Sequence, residues 1–467
     1  MDYSSKEAEM NNFTDKLNEY AKVFDGYAIH ITPEAVFLKS LEELESTDLS
    51  SEPLFYKMIA YFCLGCAYNN IKLQKKSYVH LEYADEVMTK EIAYFRKCLR
   101  VISCILEDEI VALVPNARHM QARVYLYLAN AYDHIGRFAE AQQYYHLALC
   151  DSANVWEVEI NLGFSWGNTH SYYFEQEPLI VAQVKECLIK YSRYYKEKYL
   201  AFYNHLIDLP APCLEVDKKV KYADTAEDQY SKWINANYLR LNRYNDVSPF
   251  SIFAQNDNLN LPKIETFDEE EYYFYKSFFD EISTMFIVCR KWLYDSLRQT
   301  PSVENVERVK CVFLRSYSIL DKISAMLNRY MKLEIPMGKT DFSQMWFERK
   351  GKVNGIRDKI KAHDTKLALI ALYNVRCDLF GSKVDGFEYD EQTQLIREIR
   401  NYLEHRSVLI QDGEYEKGEY QIKISYSELG RQTIRLMQLI RCAIIYVCNF
   451  VLHEEYDRNV SCIKDKQ

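Results

Sequence analysis

Apolar and polar positions recur with a helical period along most of the chain. Glu269 to Leu297, Val303 to Lys332, Ile356 to Phe380, Asp390 to Ile410 and Tyr426 to Glu455 each keep apolar residues at i, i+3 and i+4 over a bundle-helix length. The acidic run Asp268-Glu269-Glu270-Glu271 suits the start of the first of these, because the helix dipole favours negative charge at an N-terminus. Between the last two, Tyr420-Gln421-Ile422-Lys423-Ile424 alternates with period two and predicts a short strand. Residues 264–467 are therefore expected to form a helical bundle with a small β excursion.

An internal period precedes the bundle. Tyr125-Leu126-Tyr127-Leu128-Ala129-Asn130-Ala131-Tyr132 is followed by Gly136-Arg137-Phe138 and then by Ala141, Tyr145 and Ala148. This series resembles a tetratricopeptide repeat, in which aromatic, Leu-small and Tyr positions mark one helix and a small-aromatic-small series marks its partner after a Gly turn. Advancing by about 34 residues brings Leu162-Gly163 and Trp166 to the same places. Looking back, Tyr61, Leu64-Gly65 and Tyr68 open an earlier unit whose second helix is the segment around Glu91 to Leu99, after an insertion from Asn70 to Met88. One repeat cannot bury its apolar face alone, so stacked units are expected over 55–192, preceded by a helical lead-in over 1–54. Such a solenoid either binds a partner or holds the downstream domain in place. Residues 193–263 predict an ordered connector: Leu209-Pro210-Ala211-Pro212 opens it, and an apolar stretch from Trp233 runs into the Asn-rich turn chemistry of Asn242-Arg243-Tyr244-Asn245-Asp246.

Composition narrows the chemistry. Thirty-nine Tyr and 23 Phe at helical spacing fill the space between helices. Thirteen Cys without a regular spacing, behind a start that lacks an apolar signal segment, predict reduced thiols in a cytoplasmic protein. Cys63 and Cys66 form a Cys-x-x-Cys pair, but no second pair accompanies them, so they read as small buried hydrophobes and no metal is expected. The apolar segment Leu436 to Leu452 is interrupted by Gln438, Arg441 and Asn449, which predicts a buried helix and no membrane span. Met337-Gly338-Lys339-Thr340 lacks the upstream Gly of a phosphate loop, and no cofactor is expected. A net charge of −10 confines any nucleic acid contact to a local patch. The one candidate is the basic run with Lys350, Lys352, Arg357, Lys359 and Lys361; it reads first as a solvated loop and helix face, with an RNA-binding patch as the alternative.

The chemistry concentrates in Arg400-Asn401-Tyr402-Leu403-Glu404-His405. His moves protons near neutral pH, and Arg holds phosphate through a planar fork. The expected helix places Leu395, Ile396, Ile399, Tyr402, Leu403, Leu409 and Ile410 on one apolar stripe, with Asn401 opposite. Arg400 and His405 stand about 140° apart on an ideal helix, so one short ligand reaches both only if the Arg curls back or a second copy contributes. Arg406 falls within the apolar stripe and would need an acidic partner there. Glu404 is placed to pair with Arg400 across one turn, keeping the site shut, or else decorates the surface.

A C-terminal bundle carrying Arg400-Asn401 and, four residues after the Arg, His405 resembles the HEPN domain, whose hallmark is R-x(4–6)-H with a polar residue often after the Arg. The Ala368 to Leu379 segment, the Trp-to-Asn-Asp connector and the upstream repeats together look like one bacterial HEPN subfamily. The resemblance implies an all-α protein, a tetratricopeptide-like solenoid followed by a HEPN-like bundle, that dimerises with two motifs face to face. It also implies metal-independent RNA cleavage in a defence or toxin-like system. In that reading His405 acts as general base or acid, Arg400 stabilises phosphate charge and Asn401 orients His405 or the phosphate, while the repeats bind a protein partner or trigger. The resemblance, with the chemistry of a buried Arg, also makes Asp378 the candidate partner of Arg406. The competing reading is a non-catalytic adaptor that binds protein through its repeats and dimerises through its bundle.

Overall fold

The computed structural model describes residues 3–75, 81–107, 113–151, 220–223, 225–247, 249–264, 268–350, 353–363, 366–381, 391–413 and 415–464. The described residues are mostly helical, as the periodicity predicts, and among them are two small sheets where the sequence predicts one β excursion. Its described residues fall into two compact units, one built from 3–135 with 141–151 and the other from Gly136–Glu140 with everything described from residue 220 onward.

The first unit begins with α1 (Tyr3–Ala28), α2 (Glu34–Glu45) and α3 (Leu54–Lys75). Leu17, Tyr20 and Phe24 of α1 meet Phe37, Leu41 and Leu44 of α2 and Ala60, Leu64 and Ala67 of α3, each set spaced three or four residues apart so that one stripe faces inward. Next, α4 (Leu81–Glu107) packs along α3, and α5 (Val114–His134) packs along α4; α6 (Phe138–Asp151) follows in the chain. A side chain at Gly65 would begin 2.5 Å from the Phe95 ring, so the Leu64-Gly65 pair read as a repeat signature is what admits the aromatic of the next helix. The insertion expected from Asn70 to Met88 is spent largely on lengthening α3 and α4. The third expected unit, around Leu162 and Trp166, and the segment Leu209 to Pro212 lie outside the described residues.

The second unit is a bundle. Helices α9 (Glu269–Leu297) and α10 (Val303–Tyr330) pair along their lengths, and α14 (Tyr426–Lys464) packs against both, as well as on α12 (Leu367–Phe380) and α13 (Glu391–His405). The Asp268 side chain accepts from the Glu271 N–H at 2.8 Å and so caps α9, beneath three acidic residues in the first turn. Among the described residues α14 alone is long and apolar enough to cross a membrane, and 83% of its most apolar window is buried against the protein, as expected of a core helix.

Upstream of α9, the helix α7 (Ala226–Ala236) leads into a tightly bonded turn that contains the four-residue α8 (Tyr244–Val247). Asn242 donates to the Phe253 and Asn256 carbonyls, and Asn245 accepts from the Arg240 N–H. The turn docks on α14 through Arg441, which donates to both carboxylate oxygens of Asp246, at 2.6 and 2.9 Å, and to the carbonyls of Arg240 and Asn242. It docks on α9 through Arg290, paired with Asp257 at 2.8 and 2.7 Å.

Two expected helices are shorter than their apolar patterns. The segment expected from Ile356 to Phe380 is the end of a hairpin, β1 (Phe347–Lys350) with β2 (Val353–Ile356), then one turn, α11 (Asp358–Lys361), then α12. The extended backbone of Lys366 separates α11 from α12. The helix expected to reach Ile410 stops at His405, because Ser407–Ile410 forms β3 in parallel register with β5 (Gln421–Ile424), which also pairs antiparallel with β4 (Glu416–Lys417). Leu409 is consequently exposed and does not extend the apolar stripe.

Candidate functional site

Helix α13 buries Thr393, Ile396, Ile399 and Tyr402, a stripe repeating every three residues against α10, α12 and α14. Asn401 projects opposite and is exposed. Tyr402 fixes the end of the helix: its hydroxyl donates to the Gly418 carbonyl, which ties α13 to the loop before β5. His405, the last helical residue, keeps 72% of its side chain exposed, enough for a ligand to reach the ring unobstructed.

Arg400 lies on the flank that faces α10 and α12. Its guanidinium carbon sits 4.3 Å from the centre of the Tyr317 ring and 5.2 Å from that of Phe380, a cation–π seat that fixes the plane of the fork. Arg400 Nε donates to Glu404 Oε1 at 3.1 Å, and Glu404 Oε2 lies 3.7 Å from His405 Nε2. One carboxylate thus spans the angular gap between the two residues, and the pairing across one turn is the one the spacing predicts. Beside them, Arg397 lies against Gly381, where a side chain would begin 2.6 Å from its Nη1. Asp321 of α10 completes the ring of charge. Burial raises its carboxyl above the ordinary range, opposed by the Phe342 N–H that donates to it at 3.2 Å and, further off, by Arg400.

Arg406 and Asp378 are not partners. Because the helix ends at His405, Arg406 leaves the helical progression, is exposed, and donates to the Glu419 carbonyl at 2.6 Å and to the Tyr402 hydroxyl at 3.2 Å. Asp378, 1% exposed on α12, accepts instead from Arg137 at 2.6 Å. Arg137 also donates to Asn374 and Glu140, and Tyr446 donates to Glu140, so these five side chains close a buried network inside the bundle.

The basic run is partly consumed by the fold. Arg357 donates to the Met345 carbonyl at 2.9 Å, and Lys359 donates to the Lys332 carbonyl and lies 3.1 Å from Glu334. Lys361 is half-buried on α11, Lys350 closes strand β1, and Lys352 lies outside the described residues. Arg357 and Lys359 therefore first serve the local fold. At Cys63, on α3, burial pushes the thiol up to about 12.

Sequence reasoning missed Tyr317 and Phe380, the two rings that seat Arg400. No local signal marks them, since each is one of many aromatics at core spacing. The Tyr317 hydroxyl is buried and makes no hydrogen bond among the described residues. A further feature beside the motif is a cleft of about 630 Å³ lined by Gln394, Glu398, Tyr415, Lys417, Ser425 and Arg431. Tyr415 and Lys417 both bond to Glu398 across it.

No curated protein and no solved structure matches the chain. One family does: residues 265–455 match the LA2681-like HEPN family, over a stretch that holds α9 to α14 short of its last turns, together with Arg400, Asn401 and His405. A HEPN-family domain of the LA2681-like kind is therefore found at residues 265–455.

Proposed function

We propose that the protein is a metal-independent RNA endonuclease whose chemistry resides in Arg400, Asn401 and His405. The observation that carries this reading is an aromatic-seated Arg and an exposed His at one end of one helix, both within reach of a single carboxylate, in a HEPN-family domain. A phosphodiester bridging the same two side chains meets a fork for its non-bridging oxygens and an imidazole for proton transfer. The ribose 2′-hydroxyl attacks the adjacent phosphorus, its proton passes to a base, and the 5′-oxygen leaves with a proton from an acid, giving a 2′,3′-cyclic phosphate. His405 fills one of these proton roles, Arg400 neutralises the charge that gathers on the phosphate, and exposed Asn401 orients the phosphate or the imidazole. A second copy of the chain supplies the opposite role in a homodimer. The first unit binds a protein partner or trigger, in a cytoplasmic defence or toxin-like system.

The test is cleavage of end-labelled total tRNA and a mixed-sequence RNA in EDTA. Wild type is expected to cut, while His405→Ala and Arg400→Ala lose the activity by about a hundredfold or more, the scale of general acid–base catalysis. Cleavage that survives both substitutions refutes the assignment. One observation favours the adaptor reading: Arg400 is already held by two rings and a carboxylate, as a structural arginine would be. Under that reading both substitutions leave partner capture and dimerisation unchanged.

A further inference from the structure

We propose that Glu404 is an internal stand-in for the substrate phosphate, so that the Arg400–His405 site is an oxyanion subsite that a phosphodiester must enter by displacing this carboxylate. The inference rests on the functional reading above and adds its regulation. Three observations support it. The two carboxylate oxygens of Glu404 address Arg400 Nε at 3.1 Å and His405 Nε2 at 3.7 Å, one oxygen each, as two non-bridging phosphate oxygens would. The Arg400 Nη1 and Nη2 atoms hydrogen-bond to nothing among the described residues, so the outer fork stays open while its inner edge is occupied. Finally, the carboxylate is open to exchange even though the two rings seat Arg400. The side chains of Arg400, Glu404 and His405 are 27%, 31% and 72% exposed, so solvent screens the pair and an incoming anion can compete for it.

A carboxylate left beside a bound phosphate also repels it, which makes Glu404 a threshold: weak or single phosphate contacts fail to dislodge it, and a strand that engages several contacts succeeds. Glu404 is a positioning residue in this scheme, because it acts through Arg400 and His405 and contacts no substrate itself. Asp321 adds to the negative side of the balance, and Arg397 adds to the positive side.

The experiment uses the full chain as wild type, Glu404→Gln, Glu404→Ala and the double variant Glu404→Gln/Arg400→Ala, with circular dichroism confirming that the helical content is retained. The probes are inorganic phosphate and a mixed-sequence 2′-O-methyl RNA, which binds without being cut. Removing the carboxylate charge is expected to tighten RNA binding by about tenfold at low salt, from the lost ion pair and the lost repulsion together. Phosphate should shift the His405 ring signals of Glu404→Gln at lower concentration than those of wild type, and Arg400→Ala should cancel both gains. Equal binding by wild type and Glu404→Gln overturns the stand-in even if wild type cleaves RNA. Tighter binding without cleavage by any variant supports the subsite and refutes the endonuclease. Failure of every variant to bind either probe refutes both.

Discussion

Replacing Arg441 by Met tests how the connector turn is held on the bundle. Arg441 is fully buried, and its guanidinium meets both oxygens of Asp246 and the carbonyls of Arg240 and Asn242. Met fills similar volume but takes the Arg441 charge away from the Asp246 carboxylate, itself 2% exposed. Breaking one side of a buried ion pair costs about 3–5 kcal/mol, and each carbonyl stripped of its donor adds about 1 kcal/mol. The expected loss is about 5–7 kcal/mol, comparable to the whole stability of a marginal domain. Thermal unfolding measures the total, and hydrogen exchange in a peptide covering 233–246 localises it to the turn. Because well-packed apolar groups often replace a buried pair at little cost, Arg441→Met with Asp246→Leu is expected to recover most of the loss. A single-variant cost under about 1 kcal/mol, or a double variant as damaged as the sum of its singles, refutes the account.

Two further predictions concern the bundle. Gly136 adopts φ +76°, and a side chain there would collide with the Leu367 backbone, so Gly136→Ala is expected to destabilise by roughly 2 kcal/mol or more in a denaturant melt. A substitution without effect would mean that the turn readily repacks. Burial, followed by nearby Lys366, pushes His453 of α14 down to about 4 from an ordinary 6.5, so the folded state holds this ring neutral where the unfolded chain would protonate it. Its contribution to stability is complete above pH 6.5 and is lost as pH falls toward 4; His453→Gln should flatten that part of a stability-against-pH profile, and an unchanged slope assigns the acid sensitivity elsewhere.

Periodicity located α9 and α10 almost to the residue, because each is long, amphipathic and capped by its own sequence at Asp268 and Ser302. It overran α13 because Ser407–Ile410 is a short apolar run whose partner, Gln421–Ile424, pairs in parallel from beyond an intervening loop, a nonlocal choice no helical-period count registers. The same overrun misplaced Arg406. The Arg400–Glu404 pair was legible because i and i+4 are neighbours on any helix. The seat of Arg400 was not, since Tyr317 and Phe380 come from two other helices. Arg137 shows the same limit: it reads as part of a repeat turn, yet its counter-ion Asp378 lies 241 positions along the chain.

The five residues Gly136–Glu140 have a practical consequence for modularity. They belong to the bundle's unit while the chain on both sides belongs to the other, so the two units are interleaved and are not consecutive blocks. No single cut yields both intact. A fragment that ends before the bundle carries Arg137 away from Asp378, Asn374 and Tyr446, and a fragment that begins at residue 264 deprives buried Asp378 of Arg137. Exchange of the upstream unit by recombination at one junction would break the same network, so the two units can be transplanted only together.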